Sequence, residues 1–271
     1  MEFVKFPRTR HIQGSRHQAG DLSEEMLFSD LAGATIFVSE KVDGANCGIS
    51  FGRDGRLQLQ SRGQYLSGGS RERHFDALKA WVHAHSDRLR AALEDRYVMF
   101  GEWLYAKHTV YYDLLPHYFL EFDVFDRVRG LFLSTQARRR LLGGLPIISA
   151  PLLHVGYVAS LEDLDRLIGH SRFKSSDWRE ALVEDALASG NSLDHVKKQT
   201  DPSDLAEGLY MKIENGDTVE ERFKFVRSGF RQAIESSEGH WLDRPILPNR
   251  LVENADVFAA TLGVQGAYDA M

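Results

Sequence analysis

The sequence predicts an α+β fold in which antiparallel sheets are flanked by helices. Short β-rich segments separated by turns fill the first half of the chain, and two more appear after residue 207. Between them, residues 134–200 are mainly helical in pattern. Since no repeat, low-complexity tract or obvious linker divides the chain, we expect one main domain over residues 1–235. We expect residues 236–271 to be a short segment that packs on this domain or extends it.

The individual elements follow in chain order. A β-rich run over residues 34–40 leads into Lys41, and residues 48–61 are typical of a hairpin because Asp54-Gly55 supplies the positive φ angles of a tight turn. Further strands are predicted at residues 97–104, 118–126, 208–213 and 221–226, and helices at residues 75–93, 134–142, 161–168 and 175–200.

Composition excludes several classes of protein. No run of 18 apolar residues is present, and the amino terminus lacks the apolar stretch of a signal peptide, so we expect a cytoplasmic protein that does not cross a membrane. Cys47 is the single cysteine, which excludes an internal disulfide and a multi-cysteine zinc site. The net charge of −6 argues against a general nucleic-acid coat protein but leaves a local basic surface open.

The most informative motif surrounds Lys41, within residues 39–46. A lysine at a strand end beside a glycine turn is suited to attack a phosphate, provided that its amine is uncharged. A free lysine has a pKa near about 10.4, and burial or a nearby cation and metal ion can lower the pKa of Lys41. Asp43 would orient the amine or a ribose, and Gly44 would leave room for a nucleotide. The tetrapeptide alone does not decide between this role and a solvated surface lysine.

Six short motifs with characteristic residues follow one another between residues 39 and 226: Lys41 with Asn46, Arg62, Glu102, Phe122, Glu207 with Lys212, and Lys224. This order resembles the covalent nucleotidyltransferase superfamily, which contains polynucleotide ligases and mRNA capping enzymes. The resemblance implies a nucleotidyltransferase (adenylation) domain with an ATP-grasp-like arrangement of antiparallel sheets.

The resemblance also implies how the nucleotide is held. Lys41 would carry AMP as a lysyl-N-AMP, and Glu40 would recognise the adenine edge. Asn46 and Arg62 would contact nucleotide and 5′-phosphate groups, for which a bidentate guanidinium is well suited. Phe122 would stack on the adenine, and a core residue in its apolar strand is the less favoured alternative.

The remaining residues implied by the resemblance would bind the metal or offset the negative charge of the phosphates. Glu207 would hold a divalent metal, and Glu102 would bind the ribose or the metal. Lys212 and Lys224 would offset charge on the phosphates and on the departing pyrophosphate. ATP and Mg²⁺ (or Mn²⁺) are therefore the expected cofactors.

Two features favour a branch similar to the type-2 RNA ligases of phages. Asn46 stands where DNA ligases and capping enzymes commonly carry arginine, and only 47 residues follow Lys224 (271 − 224), so no carboxy-terminal OB domain is expected. Asp43 and Arg222 depart from this branch, which tends to have histidine and lysine there, and both are possible nucleotide contacts. RNA ends would be the substrate in RNA repair, with end-healing enzymes as possible partners. The oligomeric state is open.

Two alternatives stand beside this interpretation. An ATP-dependent DNA ligase or a guanylyltransferase would use the same motifs with a different nucleic acid or nucleotide. A non-catalytic nucleic-acid-binding relative would keep the fold and lose motif residues, whereas none of the charged motif positions of this chain carries a neutral residue.

Overall fold

The computed structural model describes residues 3–17, 21–22, 24–31, 33–230 and 246–259. The strands of the described residues are β1 (Arg10–Ile12), β2 (Glu25–Met26), β3 (Ile36–Lys41), β4 (Ala45–Phe51), β5 (Leu57–Ser61), β6 (Tyr97–Trp103), β7 (Phe119–Asp126), β8 (Leu131–Phe132), β9 (Ile148–Ser149), β10 (Leu152–Gly156), β11 (Gly208–Asn215) and β12 (Thr218–Val226). The helices are α1 (Asp76–Ala84), α2 (Ser86–Leu93), α3 (Thr135–Leu142), α4 (Leu161–Arg166), α5 (Trp178–Ala188) and α6 (Leu193–Lys198). The predicted α+β class is confirmed.

The strands form two sheets. The first has the order β10-β3-β11-β12-β1-β2, and the second has the order β5-β4-β6-β7-β8, with β9 added alongside β7. The long strands pair antiparallel in both sheets, as predicted, whereas the short strands β1, β2 and β9 make parallel pairs. β4 is buried along its whole length, as befits a central strand, and the predicted hairpin joins it to β5 through Gly55, whose φ is 75°.

A buried ionic network joins the two sheets. Asp123 of β7 accepts a hydrogen bond from the Tyr210 hydroxyl at 2.6 Å and pairs with the Lys212 ammonium at 2.6 Å. The Arg222 guanidinium lies 3.6 Å from the same carboxylate. Burial acts to raise the pKa of Asp123, but these cations, Lys212 first, hold it below its ordinary value. Asp123 is therefore a charged anchor between β7 and the β11–β12 hairpin.

Two predicted helices are divided in the structure. The helix expected over residues 75–93 is a 3₁₀ turn (Ser70–Phe75) followed by α1 and α2, which are separated at His85. Val82 and Leu89, both buried, are seven residues apart, which is two helical turns, so the apolar pattern does not reveal the break. The segment predicted as helical over residues 175–200 is α5 and α6, separated where Gly190 adopts a φ of 68°.

Residues 246–259 lie against the segment that follows β6. The Asn249 amide donates to the Leu104 carbonyl at 2.7 Å and accepts from the Tyr112 amide at 2.9 Å. The Arg250 guanidinium pairs with Asp185 of α5 at 2.6 Å. The predicted boundary near residue 235 lies outside the described residues. No helix of the described part of the chain is long and apolar enough to span a bilayer.

Gly208 is required by close packing at the start of β11. A Cβ atom built there would lie 2.1 Å from the Phe225 carbonyl oxygen and 2.9 Å from the Val226 Cα, and neither backbone atom can move without separating β11 from β12. We expect Gly208→Ala to lower the free energy of unfolding by about 1–3 kcal/mol, measured by urea denaturation. Gly169→Ala is the control, because a Cβ atom there meets nothing within 4 Å. Equal stability of the two variants would contradict this packing argument.

Candidate active site

A cleft of about 480 Å³ lies between the two sheets. Its lining residues come from the amino-terminal segment, β3, β4, β6, β7, β11, β12 and their flanking turns: Lys5, Phe6, Arg8, Thr9, Asp21, Ser39, Glu40, Lys41, Val42, Asn46, Arg62, Gly63, Glu102, Phe122, Ala150, Tyr210 and Lys224. Five of these are lysine or arginine and three are acidic, in a chain whose net charge is −6. The cleft is thus a local basic surface suited to a polyanion.

Lys41 is the last residue of β3, and its ammonium donates to the Glu207 Oε2 atom at 2.7 Å. Burial acts to lower the pKa of Lys41, but Glu207, Glu102 and Asp43 outweigh it and raise the pKa above its ordinary value. In this arrangement the effect of burial on the pKa of Lys41 is therefore outweighed, and a lowering of this pKa by a metal ion stays a prediction. The acidic neighbours keep the amine charged, so anything that makes it a nucleophile must act against them.

Two carboxyl groups flank Lys41, that of the buried Glu207 and that of the partly buried Glu102. Burial raises the pKa of Glu207 to about 7 and that of Glu102 to about 7, while attraction to Lys41 acts in the opposite direction on both. The Oε1 atom of Glu207 is buried without a hydrogen-bond partner among the described residues. An oxygen in this state is a suitable ligand for a hard divalent cation, since Mg²⁺ prefers oxygen donors.

The donor set fits a metal shared with a substrate better than a metal held by protein alone. No three histidine, cysteine or acidic side chains of the described residues are close enough to hold an ion by themselves. Mg²⁺ is commonly bound through one or two carboxylates, with waters and substrate phosphates completing the octahedron. Glu207 and Glu102 would be those two carboxylates.

Most of the predicted nucleotide contacts are brought together in the cleft. Glu40 is buried, and its carboxylate accepts from the Ser171 hydroxyl at 2.5 Å and from the Arg172 amide at 3.1 Å. Asn46 lies directly opposite Glu102 in the β4–β6 pair, which follows from the antiparallel register. Arg62 follows the end of β5 and is exposed at the cleft.

Phe122 forms part of the cleft wall. Its ring makes edge contacts with Phe6 at 5.3 Å and with Tyr210 at 5.7 Å between centroids, and the side chain is only partly buried. These contacts hold the ring in place while it lines the cleft. The geometry is suited to a stacking role.

The structure does not bring Lys212 or Arg222 to the cleft wall. Tyr210 and Lys224 are opposite one another in the β11–β12 pair and line the cleft, whereas Lys212 and Arg222 form the next row, two residues or about 7 Å further along the strands. There the Asp123 carboxylate takes up their charge. Their predicted contact with phosphates is therefore not formed in this arrangement.

Asp43 and Gly44 have structural tasks that differ from those expected. The Asp43 carboxylate accepts from the backbone amides of Thr109 and Val110 at 2.7 and 2.8 Å, so it anchors the loop after β6. A Cβ atom on Gly44 would lie 2.6 Å from the Leu104 side chain and 2.7 Å from the Trp103 carbonyl oxygen. Gly44 therefore permits close approach of this loop to β6 rather than clearing space for a nucleotide.

The amino-terminal segment supplies cleft residues that sequence analysis missed. Phe6 is buried and packs edge-on against Phe100 at 5.0 Å, and the Gln60 amide donates to the Val4 carbonyl at 2.8 Å, which fixes the segment across the second sheet. Lys5 and Arg8, on either side of Phe6, are exposed at the cleft. An aromatic residue between two cations was the only available signal, and it does not indicate where the segment lies.

Residues 34–226 match the family model described as RNA ligase. Among solved structures, a Naegleria gruberi RNA ligase mutant with ATP and Mn has a TM-score of 0.49 and 14% identity, covering 86% of this chain and 62% of that chain. A second mutant, with AMP and Mn, has a TM-score of 0.48 and 14% identity over 82% of this chain and 61% of that chain. A mutant without ligand has a TM-score of 0.47 and 15% identity over 81% and 60%.

This chain therefore spans about three fifths of the length of these solved structures. A search of curated proteins finds no match.

The raised pKa of Glu102 predicts a pH-dependent cost to stability. The folded state holds this proton up to about pH 7, whereas an ordinary glutamate loses it near 4.5, so the free energy of unfolding falls as pH rises through this interval. We expect Glu102→Gln to raise the free energy of unfolding by about 1–3 kcal/mol at pH 8 and by much less at pH 5.

The measurement is thermal or urea unfolding in buffer with a chelator. Glu162→Gln, an exposed position on α4, is the matched control and should change little at either pH. A gain at pH 5 as large as that at pH 8 would contradict the assigned role of burial.

Proposed function

This chain belongs to the RNA ligase family, and we propose that it is an ATP-dependent RNA ligase that joins 5′-phosphate and 3′-hydroxyl ends. The observation that carries the proposal is the Lys41 amine at the end of β3, in the cleft between the carboxyl groups of Glu207 and Glu102. The enzyme would work through a lysyl-AMP on Lys41 and an adenylylated 5′ end.

In the first step the Lys41 nitrogen attacks the α-phosphorus of ATP. The Lys41 ammonium must first lose one proton, and Glu207 Oε2 is the atom placed to accept it, since it is 2.7 Å from the nitrogen and the pKa of this carboxyl is raised to about 7. The N–P bond then forms as the bond to the departing pyrophosphate breaks, and a second proton passes from the nitrogen to solvent. Glu207 Oε1 and Glu102 would hold Mg²⁺ or Mn²⁺, which when bound would supply positive charge at the phosphates.

The cleft wall would hold the nucleotide during all three steps. Phe122 offers a ring face to adenine, and Glu40 lies next to Lys41 with its carboxylate fixed by Ser171. Asn46 and Arg62 would contact the sugar and phosphate groups. Lys224, the cation of the β12 row that lines the cleft, would offset phosphate charge.

AMP would then pass from Lys41 to the 5′-phosphate of an RNA end, and a 3′-hydroxyl would displace it to form the phosphodiester bond. Orientation of the two ends in a basic cleft is the main contribution required of the protein. Because a 5′-phosphate and a 3′-hydroxyl are needed, RNA with other termini must first be converted by a kinase or phosphatase. Such end-healing enzymes, acting in RNA repair, are the proposed partners.

Nucleotide labelling tests the proposal directly. We expect incubation with α-labelled ATP and Mg²⁺ to label the protein covalently and α-labelled GTP to give no label. Lys41→Ala should lower the label by at least about 1,000-fold, because the attacking nitrogen is removed. Lys79→Ala is the matched control, since Lys79 is also paired with a glutamate (Glu72, 2.8 Å) but does not line the cleft.

Labelling from GTP alone would favour the guanylyltransferase alternative. Full labelling of Lys41→Ala would show that Lys41 is not the nucleophile. Equal or better sealing of an all-DNA nick than of a nick with RNA at the 3′-hydroxyl side would favour the DNA ligase alternative. A cleft that binds ATP without becoming labelled would favour the non-catalytic alternative.

The exposed cations Lys5 and Arg8 provide a separate prediction about RNA. They lie on the part of the cleft wall that belongs to the amino-terminal segment, outside the motifs around Lys41. We expect the double variant Lys5→Ala/Arg8→Ala to raise the KM for nicked RNA and to reduce the salt slope of RNA binding by about two. Formation of the lysyl-AMP should be unchanged.

The control pair is Arg53→Ala/Arg129→Ala, which removes two exposed arginines that do not line the cleft. A double Lys5/Arg8 variant that loses covalent labelling but binds RNA normally would place these cations at the nucleotide instead.

A further inference from the structure

A chain of four hydrogen bonds begins and ends on β12. The Val226 amide donates to the Ser15 Oγ atom at 2.9 Å, and Ser15 Oγ lies 2.6 Å from His11 Nδ1. His11 Nε2 lies 2.8 Å from Asp21 Oδ2, and the Lys224 ammonium donates to Asp21 Oδ1 at 2.6 Å. Val226 and Lys224 are two residues apart, so the chain leaves one strand and returns to it.

The direction of each bond follows from the chemistry of its members. Asp21 faces the Lys224 ammonium and accepts hydrogen bonds as a carboxylate, so His11 Nε2 must carry a proton and donate it to Oδ2. Burial lowers the pKa of His11 despite its bond to Asp21, which leaves Nδ1 unprotonated and able to accept. Ser15 therefore donates to Nδ1 and accepts from the Val226 amide. One tautomer satisfies the whole chain.

The chain links the interior to the cleft. His11 is fully buried and pairs with Lys224 in the register of β1 on β12, and neither His11 nor Ser15 lines the cleft. Asp21 and Lys224 do line it. A histidine with a role only in the core would hydrogen-bond to buried groups alone. His11 instead contacts Asp21, the counterion of the cleft residue Lys224.

We propose that His11 is a positioning residue for Lys224. His11 fixes the Asp21 carboxylate, and Asp21 fixes the Lys224 ammonium at one point on the cleft wall, with two of its three N–H groups left for phosphate oxygens. Lysine has a flexible four-carbon stem, so a tethered ammonium is already oriented when the triphosphate arrives. The consequence for catalysis rests on the proposed function, whereas the tether itself does not.

Amine reactivity tests the tether without requiring activity. Lys224 in the intact protein is acylated by limiting acetic anhydride, and its labelling is measured by peptide mass spectrometry relative to Lys79. We expect faster labelling of Lys224 in Asp21→Asn, which removes the charged partner that favours the ammonium form, and in His11→Ala, which frees Asp21 to move and so makes the Lys224 amine more accessible. His11→Gln keeps an N–H donor near the Nε2 position and should resemble the wild type.

Kinetics tests the consequence. At saturating ATP, His11→Ala and Asp21→Asn should slow lysyl-AMP formation on the order of 10- to 100-fold, with partial rescue in His11→Gln. Adding His11→Ala to Lys224→Ala should cause no further loss, since both changes remove the same oriented ammonium. His83→Ala, at an exposed position on α1, is the control and should behave as wild type.

Thermal unfolding identifies variants that fail to fold. If His11→Ala does not fold because its buried ring is missing, Asp21→Asn still tests the proposal. Unchanged Lys224 labelling and unchanged adenylylation in folded Asp21→Asn or His11→Ala would overturn the proposal. A further loss in the double variant equal to that of His11→Ala alone would also overturn it. If the wild type forms no lysyl-AMP, the proposed function fails, while the acylation experiment still decides the tether.

Discussion

The ion pair between Lys41 and Glu207 depends on how three strands are aligned. Lys41 ends β3 directly opposite Gly208, the first residue of β11, so the register of these strands places the amine beside the residue that precedes Gly208. Gly208 in turn lies against the backbone of β12, which carries Lys224 into the same cleft. A shift of one residue in either pairing would turn Lys41 and its partners to opposite faces. The geometry of the site is thus a consequence of sheet register.

The same strands separate the charges that border the cleft from the charges that are neutralised between the sheets. Along β11 and β12, the row that contains Tyr210 and Lys224 borders the cleft, and the next row, Lys212 and Arg222, is neutralised by Asp123. Buried charges without partners are costly, so a cation that is not exposed to the cleft needs a fixed counterion. Asp123 supplies it and joins the two sheets that form the cleft walls. Lys212 therefore contributes to the shape of the site in this arrangement.

Sequence alone predicted the α+β class and most strands, because strand periodicity is a local property of the chain. Motif order also selected residues between Lys41 and Lys224, most of which line the cleft, and their roles toward a nucleotide stay predictions. The position of Lys212 depends on which row of a strand pair reaches the cleft, and the task of Gly44 depends on a contact with Leu104, sixty residues away. The contribution of Lys5 and Arg8 depends on where Phe6 packs. No sequence pattern encodes these tertiary relations.

The charge balance of the cleft explains why its chemistry calls for a divalent cation. Lys41 and Lys224 are both paired with carboxylates of the same chain, Glu207 and Asp21. In the proposed reaction a triphosphate would compete for these ammonium groups, and adenylylation would remove the charge of Lys41. Glu207 would then remain buried beside Glu102 without its counterion, which it could tolerate only by taking up a proton, as its raised pKa of about 7 allows, or by binding another cation. Glu207 and Glu102 are the residues that would hold such a divalent cation, whose charge would offset both the carboxylates and the phosphates.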